Sequence, residues 1–155
     1  MNWEAIGAIA ELMGAIAVFS TLVYLTVQIR QNTKALQGTT LNAITAQTSE
    51  ELKWASEQTD LRLKAREESE SLSEAELWQL NCWLASAMHA RENEYFQFKL
   101  GLLDTMVWDS RLNIIESIFD NEWAIRHWRD RLRNVFSDEF TRLIDDVVAA
   151  KRIVA

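Results

Sequence analysis

Residues 5–29 read AIGAIAELMGAIAVFSTLVYLTVQI and hold one formal charge, Glu11. A helix rises 1.5 Å per residue, so about 20 such residues cross a bilayer core of roughly 30 Å. No proline interrupts the run, and between Leu12 and Val27 only Ser20, Thr21 and Thr26 break its apolar character. The core helix of a soluble protein keeps one polar face, whereas this stretch is apolar all round. It predicts a membrane anchor. The fold expected around it is all-α: an N-terminal transmembrane helix followed by a small antiparallel helical bundle.

The anchor differs from a cleavable signal peptide. Its leading residues, Met1-Asn2-Trp3-Glu4, carry no Lys or Arg, and the apolar run is too long. Arg30 and Lys34 flank its C-terminal end, so the positive-inside rule puts residues 30–155 in the cytoplasm, with the N-terminus outside a cell inner membrane. Trp3 and Tyr24 fall near the two ends, where amphipathic rings favour the headgroup region.

Glu11 needs its own account, because a carboxylate about two turns into a span is costly. Gly7, Glu11, Gly14 and Val18 recur at spacings of four, three and four, which puts them on one face. Ala10 and Gly14 add a small-xxx-small pair that lets two helix backbones approach. One reading is a helix–helix contact with Glu11 bonding across it. The other is that Glu11 sits near the outer interface and reaches water.

Three segments follow from the pattern: an anchor and juxtamembrane helix over 1–36, a polar helix and acidic loop over 37–72, and a helical bundle over 73–155. In 155 residues there is no proline, and only Gly38 and Gly101 lie beyond residue 14, which argues against sheet-rich structure. Seven tryptophans supply material for a core. Glu4 and Glu11 balance Arg30 and Lys34, so the whole net charge of −7 belongs to the rest of the chain. That acidity disfavours nucleic acid and anionic surfaces as partners. The single cysteine, Cys82, excludes an intramolecular disulfide.

Gly38 is a candidate break after the anchor. Leu41, Ile44, Thr48, Leu52 and Ala55 then mark a weakly amphipathic helix, and residues 67–71 (EESES) read as a loop. Ser73 and Glu76 form a capping box that should start a long helix. Leu77, Leu80, Leu84, Ala87, Arg91, Glu94, Phe98 and Gly101 are its seam, with Trp78, Met88, Tyr95 and Leu102 widening the apolar face. A helix over about 105–119 should turn inward Trp108, Leu112, Ile115 and Phe119. The next, after a turn at Asp120-Asn121, should use Trp123, Trp128, Leu132 and Val135. Ser137 begins a last helix with Phe140, Leu143, Ile144 and Val147 inside and Lys151-Arg152 at its end.

Reaction chemistry is sparse. His89 and Glu92 are three apart but in the reverse of the Glu-x-x-His order of di-iron bundles, so neither a metal nor another cofactor is expected. Cys82 has no local base, and buried helical cysteines are inert. The densest polar cluster joins His89, Arg91, Glu92, Glu94 and Tyr95. It reads either as a binding pocket or as a buried ion-pair network that sets helix register. The tryptophans at 78, 83, 108, 123 and 128 read as core.

These motifs, in order, resemble a group of small bacterial membrane proteins of unassigned function. The shared pattern is an opening W-E-A-I-G-A-I at Trp3 to Ile9, leading through the apolar run to Q-I-R-Q-N-T-K-A-L at Gln28 to Leu36. Further matches are Glu92-Asn93-Glu94-Tyr95 with Gly101 to Asp104, Trp123 with Trp128, and Phe136 to Phe140. The resemblance implies a single-pass protein with a helical cytoplasmic domain, and it brings no activity with it. The leading functional expectation is therefore a non-catalytic interaction protein in the bilayer. Its partner would be itself or another membrane protein, as an accessory subunit. The competing expectation is a tethered enzyme or small-molecule sensor whose pocket gathers His89, Arg91, Glu92, Tyr95 and His127.

Overall fold

The computed structural model describes residues 2–154, the last three as backbone only, so the basic end expected at Arg152 lies outside the described side chains. Among the described residues there is no strand. Six α-helices follow one another: α1 (Trp3–Glu57), α2 (Thr59–Glu67), α3 (Glu74–Lys99), α4 (Thr105–Ile118), α5 (Glu122–His127) and α6 (Asp138–Val154). Two compact units divide the chain, Met1–Thr39 and Thr40–Ala155.

In the first unit every described residue is exposed. An 18-residue window of α1 has a mean hydropathy of 2.0 with none of it buried, so this helix is long and apolar enough to cross a membrane. The hydroxyls of Thr21 and Thr26 donate to the carbonyls of Ala17 and Leu22, four residues back, which satisfies them without any partner. Helix α1 runs straight through Gly38, where a break was expected. A helical glycine costs about 1 kcal/mol relative to alanine, too little to interrupt a long helix of good formers.

The second unit is built on one core. Leu80, Leu84 and Met88 of α3 meet Trp108 and Ile115 of α4, Trp123 of α5, and Phe140 and Ile144 of α6. Ser73 caps α3 as expected: its hydroxyl accepts from the Glu76 N–H while the Glu76 carboxylate accepts from the Ser73 N–H. The acidic 67–71 stretch, expected as a loop, is mostly helical instead: Glu67 ends α2, Ser69–Ser71 form a 3-10 turn, and Glu68 alone is irregular between them. At its other end α3 stops before Gly101, which the seam pattern had included. Gly101 has a φ of 72°, and the N–H groups of Gly101 and Leu102 donate back to the carbonyls of Phe98 and Gln97. This is a Schellman closure, and the left-handed position favours glycine.

Several expectations of burial fail. Trp78 is 71% exposed, one position off the Leu77–Leu80–Leu84 line, and Leu77 itself lies at the solvent edge. Cys82, expected inside, is exposed on the side of α3 away from Leu80 and Leu84. Val135 is exposed and Phe136 is buried in its place. The last has a backbone cause. Trp128–Leu132 forms a π turn, in which the Arg133 N–H donates to the Trp128 carbonyl five residues back at 2.9 Å. Beyond this wider turn the chain leaves the helix in a tight turn, where the Val135 N–H donates to the Leu132 carbonyl at 2.8 Å and Phe136, not Val135, is brought inward beside Trp128 and Leu132. Asp145 of α6 locks the π turn: the Trp128 indole donates to it at 3.2 Å and the Arg133 guanidinium at 2.8 Å.

Candidate functional site

On α3 the sequence cluster splits between two faces. Arg91 and Glu94, three apart, turn into the unit, where they are 1% and 2% exposed. Arg91 donates through Nη2 to both carboxylate oxygens of Glu51, at 2.9 and 3.1 Å. Its Nε stands 3.2 Å from Glu94 Oε2, an ion pair without hydrogen-bond alignment. From α4, Arg111 reaches Glu94 at 3.9 Å and donates to the Thr48 hydroxyl at 3.2 Å. Two cations and two carboxylates from α1, α3 and α4 thus close on one another inside the second unit.

Burial pushes the Glu94 carboxyl above its ordinary range. Arg91 and then Arg111 pull it back, while the nearby Glu51 adds to the rise. Arg91 is paired with Glu94 and also with Glu51 from α1; Thr48 lies on the stripe its spacing marked, while Glu51 and Arg111 were not singled out by the sequence. A signal for Glu51 existed. Ile44, Thr48, Glu51 and Ala55 run at spacings of four, three and four, and these four turn inward. Leu52, the apolar choice for that stripe, is exposed.

The other members of the cluster face the start of α6. The His89 ring lies 4.6 Å from that of Phe136. Glu92 accepts from the Ser137 N–H at 2.8 Å, supplying an anion at a helix N-terminus, where unsatisfied N–H groups favour one. Tyr95 packs against Trp108 and Phe140, with ring centroids 5.5 and 6.0 Å away. Arg91 and Glu92 therefore serve different contacts. His127 is half-buried on α5, and its proton affinity is lowered by burial and by Arg131. Among the described residues no group of three or more His, Cys, Asp and Glu is placed to hold a metal ion.

Along α1 the face of Gly7, Ala10, Glu11, Gly14 and Val18 is formed on continuous helix and exposed. A Cβ built on Gly7 or Gly14 would meet nothing within 4 Å. The second unit also contains a cleft of about 380 Å³ between α2, α3 and the α4–α5 turn. None of His89, Arg91, Glu92, Glu94 and Tyr95 lines it.

Compared with family models, characterised proteins and solved structures, the chain matches none of them.

Proposed function

We propose that this chain is a single-pass membrane protein of the bacterial group it resembles, working by interaction rather than catalysis. It would assemble with itself or with another membrane protein through its span, as an accessory subunit. The N-terminus would lie outside the inner membrane, and residues 30–155 would form an antiparallel bundle in the cytoplasm. The observation that carries this reading is the bare, all-round apolar surface of α1 together with its one open small-residue face.

Such a surface is stable only against lipid or another apolar partner. Within the span the threonine hydroxyls bond to their own helix, so Glu11 is the charged group left to be matched. An ionised side chain at depth costs on the order of 3 kcal/mol, and a contact on the face of Gly7 and Gly14 would offset that by bonding it across the helices. Trp78, held out at 71% exposure, adds a large aromatic surface of the kind that anchors protein interfaces.

Full-length protein should fractionate with membranes and resist an alkaline wash, and removing residues 1–36 should release a soluble helical domain. Cys82 is the only cysteine and is exposed, so it reports topology directly. A membrane-impermeant maleimide should label it only after the inner membrane is opened. Glu11→Leu should insert normally yet shift detergent-extracted protein to a lower stoichiometry in native mass spectra. Full-length protein in the soluble fraction without detergent would sink the anchor, and an unchanged stoichiometry in the variant would sink the Glu11 contact.

A further inference from the structure

We draw no further inference here: the strongest candidate, the exposed apolar side chains of Phe96, Leu100 and Met106 around the corner between α3 and α4, carries nothing because nothing in the structure shows what covers them.

Discussion

Arg91→Ala tests the buried network most directly. The substitution removes the two hydrogen bonds to Glu51 and the ion pair to Glu94. Glu51 keeps access to water, with a side chain 23% exposed, so it can rehydrate. Glu94 is 2% exposed and would keep only Arg111, 3.9 Å away and not aligned for a hydrogen bond. Stranding one buried partner in this way costs about 3–5 kcal/mol. A domain holds about 5–15 kcal/mol in total. Each kcal/mol moves the melting midpoint of a small domain by about 4 °C or more, so a drop of at least ~12 °C is expected at neutral pH. The loss should shrink in acid. Glu94 already has a raised folded pKa, and Arg91 is the strongest group pulling it down, so the variant's carboxyl would rise further. A raised acid stabilises the fold below its unfolded pKa and loses that contribution as pH climbs through the folded value. The gap between variant and wild type should therefore be widest at pH 8 and narrow toward pH 5. Arg91→Met with Glu94→Leu should restore much of the midpoint, though not all, because Arg111 and Glu51 lose a partner. The assay is a thermal melt by circular dichroism at both pH values. A wild-type midpoint for Arg91→Ala at pH 8 would refute the network as a determinant of stability.

Acid should also act through Glu76, in the opposite sense. Its carboxylate is held down to about 2 by hydrogen bonds from Lys64, the Ser73 N–H and the Ser73 hydroxyl. Its contribution is present above 4.5 and lost as pH falls toward 2, so Glu76→Gln should flatten that limb of the stability profile, and an unaltered limb would exclude Glu76, with its Lys64 and Ser73 contacts, as its source. Where the chain leaves the π turn, neighbouring residues become unequal. Phe136→Ala should cost about 3–5 kcal/mol in a denaturant titration, whereas Val135→Ala, at the surface, should fall within about 0.5 kcal/mol of wild type; equal losses would contradict the turn.

How much of this molecule could be read from its sequence depended on whether a local rule sufficed. The long apolar helix at the N-terminus, the capping box at Ser73 and Glu76, and the inward set Leu80, Leu84, Phe140 and Ile144 each follow from spacing along one helix. Val135 and Phe136 could not be ordered that way, since the 3.6-residue period assumes a continuing α-helix, whereas Trp128–Leu132 is wider and the chain then leaves the helix. The Schellman end at Gly101 was hidden for a similar reason: its position suits the seam by count but not by backbone conformation.

The polar cluster shows a deeper limit. A charged residue on an apolar stripe announces that it needs a partner without saying which helix provides it. Arg91 and Glu94 stood out because apolar seam residues surround them, while Glu51 was passed over because Leu52, its neighbour, looked the better stripe member. Hydropathy assigns that position to the leucine. Electrostatics assigns it to the glutamate, because a guanidinium with 1% exposure cannot be left without a carboxylate. The charge on α3 therefore selects which face of α1 packs inward over residues 44–55, and the tertiary contact overrides the local pattern.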